Sequence, residues 1–391
     1  MKNSDKFLII AGIVLISFNL RTPITAVGSV IDLIQAEYGL SAGVAGGITT
    51  LPLLMFAAVS PFIPKLSAKL GYGKTMALGL VFIALGEIVR SFTGLAGLFL
   101  GTGMIGAGIA VGNVLIPSII KKNFPGKVGT MTGVYTSGMC IFAAVGAGTS
   151  VPMASGLGWG WANALVFWLI LAIITFVIWL PQLRVEAEQP AAASDAKTSS
   201  IWKDRTAWAV TIFMGIQSLV FYTLVAWLPS IVMSKVPDAN FAGTVAFIYQ
   251  IVSIPATFAL PIMCDKCTKQ RGLAVAIAAI YIAGLVGLLY ATSEMLIIGS
   301  VVLMALGMGG AISLAIAFIS LRSPNAQRTS ELSGMSQSAG YLLAAVGPML
   351  IGSIFDATGS WTIPMLIFIV CMAVWAVTGL FAGDDVKTSE N

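Results

Sequence analysis

The sequence contains no histidine and only four cysteines. A zinc site needs about four nitrogen, sulfur or oxygen ligands, usually from these two residue types. Cys264 and Cys267 form a C-x-x-C in a basic loop, whereas Cys140 and Cys371 lie inside apolar segments. We therefore expect no metal site, no disulfide framework and no cofactor, and we interpret the C-x-x-C as two reduced thiols.

Charged residues are also scarce, at 9% of the chain, whereas about 25% is usual in a soluble domain. Hydrophobic residues make up 58% and the mean hydropathy is +0.95. So few charges cannot build a water-facing surface, so a lipid bilayer must surround most of the protein. The net charge of +5 does not indicate nucleic-acid binding, because the basic residues lie in short loops between apolar segments.

Apolar segments of membrane-spanning length recur along the chain. A helix needs about 20 mostly apolar residues to cross the hydrocarbon core. Twelve segments fit this length: 7–35, 41–64, 75–92, 94–120, 128–152, 162–181, 207–233, 241–263, 273–291, 295–321, 332–354 and 361–382. No small-residue cleavage site follows the apolar start of the first segment, so we expect an uncleaved first span. The sequence predicts an all-α membrane protein with twelve transmembrane helices.

The basic residues orient these helices. With the N-terminus inside, 18 of the 21 Lys and Arg residues fall on the cytoplasmic side, as the positive-inside rule requires. Lys235 and at most Arg90 fall outside, and Arg21 lies within a span. We expect a multi-pass protein of the bacterial inner (plasma) membrane with both termini in the cytoplasm.

The chain divides into two similar halves. Residues 182–206 are rich in Ala, Ser, Pro and charge, which is typical of a flexible linker. They separate six spans in 1–181 from six in 207–391. Two spacings recur in both halves. A glycine and a proline 17 residues apart occur as Gly108–Pro125 and as Gly307–Pro324, and two glycines 13 residues apart occur as Gly133–Gly146 and as Gly334–Gly347. Span 4 thus corresponds to span 10 and span 5 to span 11, as in transporters built from parallel repeats.

Several runs carry a resemblance to a known family. They are NLRTPITAVG from Asn19, GITTLPLLMFAAVSPFIP from Gly47, GIAVGNVLIPSIIKKNFP from Gly108, WLPQ at 179–182 and QSLVFYTLVAWLP from Gln217. In order and position they resemble the cyanate/nitroimidazole porter family of the major facilitators. The resemblance implies the major facilitator fold, a monomer, and small substrates that are either anions such as cyanate or polar heteroaromatics such as nitroimidazoles. Some members are assigned to uptake and others to drug extrusion.

Two loops resemble the superfamily's G-x-L-a-D-r-x-G-r-k motif, which braces the halves of these proteins. The loop after span 2 keeps Lys69 and Gly71 but has Ala68 in place of the acid. The loop after span 8 retains the acid as Asp265, followed by Lys266. The resemblance implies gating or interdomain roles for these residues, with the role of the first loop weakened by Ala68.

Arg21 is the main candidate for contact with a substrate, because an ionisable group inside a span is costly. It stands 14 residues into span 1, about 21 Å along the helix. Asn19 is close by in sequence, and Pro23 opens the local backbone hydrogen bonding. A guanidinium can bind a small anion or a nitro group by paired hydrogen bonds. The alternatives are an ion pair with Glu87 or Asp32, or contact with lipid headgroups.

Other polar residues within the spans complete the predicted substrate-binding set. Amides and phenols in a membrane either line a cavity or join helices. The candidates are Asn113, Tyr135, Gln217, Tyr222, Tyr249, Gln250 and Gln337. Glu87 and Arg90 are three residues apart in span 3, and we interpret them as a structural pair. Because membrane-depth carboxylates are few, a coupled proton and simple uniport both remain open.

These features favour a carrier that moves a small polar or anionic solute by alternating access. The alternative is a multidrug-type exporter of hydrophobic or cationic compounds, since spans 5, 8 and 11 contain aromatic residues. An enzyme would need a nucleophile–base pair or a metal cluster at membrane depth. A channel would typically present rings of like residues or a filter segment. Neither pattern is present in the sequence.

Overall fold

The computed structural model describes residues 3–40, 42–185 and 200–388. Twelve helices in these ranges are long and apolar enough to cross a membrane, which confirms the predicted all-α architecture. We number them span 1 to span 12: Phe7–Ser29, Thr50–Leu70, Tyr72–Phe92, Gly94–Asn123, Pro125–Gly156, Gly160–Trp179, Arg205–Met233, Phe241–Lys266, Arg271–Leu289, Glu294–Leu321, Ala326–Thr358 and Thr362–Ala382. Most of the predicted linker lies outside the described residues.

The described chain forms two compact units. Unit 1 holds the residues up to Asn123 and those from Val134 to the end of span 6. Unit 2 holds Phe124–Gly133 and the residues from Ser200 onward. The start of span 5 therefore groups with unit 2, although by sequence it belongs to the N-terminal half.

Several spans are interrupted. Span 1 lies within helices Asn3–Asn19 and Thr22–Ser29, and helix Ile31–Tyr38 follows it. The other interrupted spans lie within these elements: Ala42–Val59, a 3-10 turn at Ser60–Phe62 and Ile63–Leu70 for span 2; a 3-10 turn at Pro125–Lys127, Val128–Val151 and a π-helical turn at Pro152–Gly156 for span 5; Gly160–Val166 and Leu169–Trp179 for span 6. Span 11 begins at Ala326, six residues before the predicted start, because Asn325 caps the Arg328 amide.

The break in span 1 falls just before Pro23, at Leu20 and Arg21. The first helix ends with a hydrogen bond from the Leu20 amide to the carbonyl of Ser17, three residues earlier, at 3.3 Å. Arg21 leaves helical geometry with φ −123° and ψ −38°. Its carbonyl then accepts from the Thr25 amide at 3.0 Å and so starts the second helix. Proline favours the first turn of a helix, where its missing N–H costs nothing.

Spans 3 and 4 pack backbone against backbone through glycines. A Cβ atom added to Gly86 would lie 2.7 Å from the Gly101 carbonyl oxygen, and one added to Gly79 would lie 3.1 Å from that of Gly108. A Cβ on Gly101 would also collide with the backbone of Arg90. Membrane helices that lack a hydrophobic driving force associate through such close contacts.

We predict that Gly101→Ala destabilises unit 1, since the backbone atoms of Arg90 and Gly86 cannot move aside cheaply. Overpacking of this kind costs about 1–3 kcal/mol. Gly103→Ala is the matched control, because its Cβ would meet only a Leu51 methyl at 3.8 Å. Thermal unfolding of the purified proteins in detergent should show a lower midpoint for Gly101→Ala alone. Equal midpoints would contradict the packing described.

Candidate functional site

Arg21 lies in a cluster with two buried polar residues of unit 1. Its side chain is half-buried, and its charge acts on the Tyr135 hydroxyl. That hydroxyl donates to Asn113 Oδ1 at 3.2 Å. Tyr135 and Asn113 are 1% and 4% exposed. The structure thus brings together three of the predicted residues, from spans 1, 4 and 5, and we call them the Arg21 cluster.

Span 5 supports the helix break beside this cluster. Thr22 Oγ1 lies 2.6 Å from the Phe18 carbonyl oxygen and 3.3 Å from that of Phe142, and it can donate to one of them at a time. The rings of Phe18 and Phe142 stack with their centroids 3.7 Å apart. A hydroxyl that serves a carbonyl freed at a break lowers the cost of interrupting a membrane helix.

Span 3 contacts the break through Arg90. Its Nη1 donates to the Pro23 carbonyl oxygen at 2.7 Å, and the Arg90 side chain is 1% exposed. Among the described residues, neither carboxyl oxygen of Glu87 has a hydrogen-bond partner. Glu87 and Arg90 therefore lie close enough for their charges to interact, as predicted, but no hydrogen bond joins them, and none joins Glu87 to Arg21. The sequence spacing brought the two residues onto one face but could not reveal the carbonyl that Arg90 contacts.

Asn19 contacts a neighbouring helix. Its side chain is 1% exposed, and Nδ2 donates to the Leu15 carbonyl at 2.8 Å and to Thr175 Oγ1 at 2.7 Å. The bond to Thr175 joins span 1 to span 6, and the two bonds together use both amide hydrogens. The predicted contact of Asn19 with a substrate stays a prediction.

Unit 2 repeats the contact that holds span 1 against span 5. A Cβ on Gly146 would lie 2.9 Å from Thr22 Cγ2, and a Cβ on Gly347 would collide with Thr223 Oγ1. Each unit 2 residue follows its counterpart by the same 201 positions. This offset makes Tyr222 the counterpart of Arg21. Equivalent positions in the repeat therefore carry a guanidinium in unit 1 and a phenol in unit 2.

The surroundings of Tyr222 are aromatic. Its half-buried ring lies with its centroid 4.9 Å from that of Phe221 and 6.0 Å from that of Tyr341, both at steep angles. Edge-to-face arrangements of this kind stabilise aromatic pairs. The pair of Tyr222 and Tyr341 joins spans 7 and 11.

Two buried amides lie near the same crossing of spans 7 and 11. Gln217 and Gln337 are each 3% exposed, and among the described residues neither Oε1 atom has a hydrogen-bond partner. Gln217 Nε2 donates to Ser218 Oγ at 2.7 Å. The two carbonyl oxygens therefore remain available as acceptors at a point of close helix contact.

Tyr249 and Gln250 lie elsewhere in unit 2. The Tyr249 and Tyr281 hydroxyls are 2.7 Å apart, and both residues are 1% exposed. This contact packs span 8 against span 9, while Gln250 is exposed. The structure does not bring these two into contact with the other candidates, and their predicted substrate roles stay predictions.

Asp265 caps the start of span 5. Its Oδ1 accepts from the Gly129 amide at 2.7 Å, and its Oδ2 accepts from the Thr130 amide and hydroxyl at 2.8 Å. The first amides of a helix lack internal partners and carry partial positive charge, so a carboxylate stabilises them. A Cβ on Gly129 would collide with the Pro261 carbonyl, so glycine is needed for this approach. Of the predicted gating residues, Asp265 thus has a defined contact.

The other three predicted gating residues have simpler surroundings. Lys69 and Lys266 are exposed. Gly71 takes φ 86° and joins span 2 to span 3, with its amide donating to the Ser67 carbonyl at 2.8 Å. Because a positive φ favours glycine, the structure explains this residue by the turn.

Arg322 lies in a buried network that the sequence did not predict. This residue is 2% exposed; Nε donates to the Ala382 carbonyl at 2.7 Å and Nη2 donates to Gln270 Oε1. Burial lowers the pKa of its guanidinium, and the nearby negative charges of Asp385 and Asp384, with Cys264, act in the opposite direction. The network ties the end of span 12 to spans 9 and 10. The sequence showed Arg322 only as one basic loop residue.

The twelve spans and the buried polar clusters define a class of protein, the multi-pass membrane transporters. The Major Facilitator Superfamily model matches residues 9–237 and 231–391. The chain belongs to this superfamily and is therefore a secondary transporter and not an enzyme.

Three known transporters and one solved structure are similar to this chain over most of its length. The chain is 46% identical over 384 residues to an uncharacterized transporter, YycB, of Bacillus subtilis, covering 98% of this chain and 95% of that one. It is 36% identical to the 2-nitroimidazole transporter of Escherichia coli, covering 98% of each. It is 21% identical to the cyanate transport protein CynX of E. coli, over 92% and 93%. The solved proton:xylose symporter XylE shares the fold with a TM-score of 0.82 at 11% identity, covering 100% and 98%.

We predict that Asp265→Ala speeds amide hydrogen exchange at Gly129 and Thr130, because the carboxylate is their hydrogen-bond acceptor. Loss of such a cap costs about 0.5–2 kcal/mol. Asp238→Ala is the matched control, since Asp238 Oδ1 accepts from the Phe241 amide at another helix start. Exchange mass spectrometry of the peptide spanning the start of span 5 measures the effect. Unchanged protection there in Asp265→Ala would show that the cap does not hold this turn.

Proposed function

We propose that this chain carries a small polar or anionic solute across the bacterial inner membrane by alternating access. The solute class is a cyanate-like anion or a nitroimidazole-like heteroaromatic. The observation that carries the proposal is the half-buried Arg21 at a helix break, with its charge acting on the buried Tyr135. The similarity to the 2-nitroimidazole transporter over nearly the whole chain supports the choice of solute.

The chemistry of the Arg21 cluster suits such a solute. A guanidinium presents a planar fork of donors that matches the paired oxygens of a nitro group or a small anion. Tyr135 donates its hydrogen to Asn113, which leaves its oxygen lone pairs free to accept from a ring N–H. We also propose the substrate roles predicted from the sequence for Gln217, Gln337 and Tyr222 of unit 2, whose side chains supply two amide oxygens and an aromatic ring.

A cationic drug fits this cluster less well. The aromatic residues around Tyr222 would accommodate a hydrophobic compound, as in the multidrug alternative. However, Arg21 would repel a cation, and like-charge contact discriminates strongly against such a ligand. The charge at the break therefore favours a neutral polar or anionic solute.

The positive-inside distribution supports a topology with both termini in the cytoplasm. In this orientation the Asp265 cap on span 5 lies near the cytoplasmic end, where it serves as part of a gate. We propose that residues 1–181 and 207–391 move as the two halves of a monomeric carrier, with 182–206 as their linker. The capping contact is broken when the cytoplasmic side opens.

We predict that 2-nitroimidazole or cyanate raises the thermal unfolding midpoint of the purified wild-type protein. A ligand at ten times its Kd stabilises the folded state by about 1.4 kcal/mol. Arg21→Ala should lose this response, because the paired donors are gone. Arg21→Lys should keep part of it, since a lysine retains the charge without the planar fork.

The matched control is Arg205→Ala, which removes an exposed arginine at the start of span 7. This variant should respond as the wild type does. An unchanged response in Arg21→Ala would rule out the Arg21 cluster as the binding site. If neither compound shifts the wild-type midpoint, the proposed solute class is wrong.

A further inference from the structure

We propose that Glu87, Arg90 and the Pro23 carbonyl form a proton-operated latch on the break in span 1. A proton on Glu87 leaves Arg90 bound to the Pro23 carbonyl, and loss of that proton lets the Glu87 carboxylate take Arg90 instead. The latch itself rests on contacts within unit 1. Its consequence for transport rests on the proposed function, because the break carries Arg21.

Glu87 and Arg90 lie together inside the membrane-spanning part of span 3. Glu87 is 15 residues into the span, about 22 Å from its first residue. The two residues are three apart and so lie on one helix face. Their side chains are 0% and 1% exposed. Both are thus removed from solvent at a depth where charge is costly.

The hydrogen bonds of the pair are uneven. Arg90 Nη1 donates to the Pro23 carbonyl oxygen at 2.7 Å. Among the described residues, both Glu87 oxygens lack a hydrogen-bond partner, as do Nε and Nη2 of Arg90. Arg90 therefore contacts a neutral carbonyl on another span, although a carboxyl group stands one turn away on its own helix.

This arrangement fits a protonated Glu87. An ionised carboxylate buried without hydrogen bonds carries a large desolvation penalty, and a guanidinium within reach would close on it to form a short, charge-assisted bond. A neutral carboxylic acid attracts the Arg90 guanidinium much less strongly than a carboxylate does. The contact of Arg90 with Pro23 is thus the expected geometry when Glu87 holds a proton.

The charge that acts on the Glu87 carboxyl comes from Arg90 and not from a neighbouring helix. Span 3 itself carries Lys74 near its Tyr72 end, and most of the charged groups in the helices packed against it lie toward the same end: Lys65, Lys69, Lys121, Lys122 and Arg184. The two helices of span 6 contain no titratable residue. Span 1 brings Arg21, two residues before Pro23. The positive charge that acts on the Glu87 carboxyl is that of Arg90.

Deprotonation would change what holds the break. The proton leaves Glu87 to water or to the passing solute, and the resulting carboxylate competes with the Pro23 carbonyl for Arg90. A charge-assisted bond is stronger than one to a neutral carbonyl, so Arg90 turns to Glu87. Pro23 then loses its contact with span 3. The orientation of the helix break and the position of Arg21 thereby depend on whether Glu87 holds a proton.

Infrared difference spectroscopy of the purified full-length protein tests the protonation directly and needs no substrate. We expect a carbonyl stretch from a protonated buried carboxyl at neutral pH that is lost in Glu87→Gln. Glu294→Gln, which changes an exposed carboxyl at the start of span 10, is the control and should keep the band. Arg90→Met should preserve the band to higher pH, because the stabilising positive charge is removed. A band absent from the wild type, or retained in Glu87→Gln, would overturn the proposal.

Counterflow of 2-nitroimidazole in proteoliposomes tests the link to transport. We expect the wild-type rate to change with pH and the Glu87→Gln rate to lose that dependence. The same pH dependence in both proteins would overturn the latch. If the wild type moves neither 2-nitroimidazole nor cyanate, the proposed function fails, and the infrared result still decides whether Glu87 holds the proton.

Discussion

The hydrogen bond from Arg90 to the Pro23 carbonyl is the contact on which the candidate site depends. A membrane helix can be interrupted only where other groups serve the backbone atoms that the break frees. In span 1 the Thr22 hydroxyl lies close to the Phe18 carbonyl before the break, and Arg90 donates to the Pro23 carbonyl in the first turn after it. Because both supports are buried, the break has a defined geometry. Arg21 owes its half-buried position to that geometry.

The repeat shows how two similar halves can offer different chemistry. Thr22 against Gly146 and Thr223 against Gly347 are the same helix contact at equivalent positions. The residue before each threonine differs, with Arg21 in unit 1 and Tyr222 in unit 2. Close glycine contacts fix the helices, while the neighbouring position remains free to vary. A shared scaffold thus presents a charged donor in one half and an aromatic acceptor in the other.

Hydropathy and charge placement predicted the twelve spans, because a bilayer constrains helix length and loop charge more strongly than water constrains a soluble fold. The cost of a buried charge singled out Arg21 as well. Contacts between spans were harder to predict. Tyr249 pairs with Tyr281, and Asn19 with Thr175, across neighbouring helices. The pattern of apolar residues does not reveal how two such helices are rotated relative to each other. For the same reason, Arg90 was assigned to its neighbour Glu87 and not to a carbonyl on span 1.

The most direct test of a solute site at Arg21 is counterflow of labelled 2-nitroimidazole into proteoliposomes preloaded with the unlabelled compound. Wild-type protein should give saturable uptake that the internal compound stimulates and that cyanate reduces by competition. Arg21→Ala, reconstituted to the same level, should give uptake no greater than protein-free liposomes. Equal, saturable counterflow in the wild type and in Arg21→Ala would contradict a role for Arg21 in binding the solute.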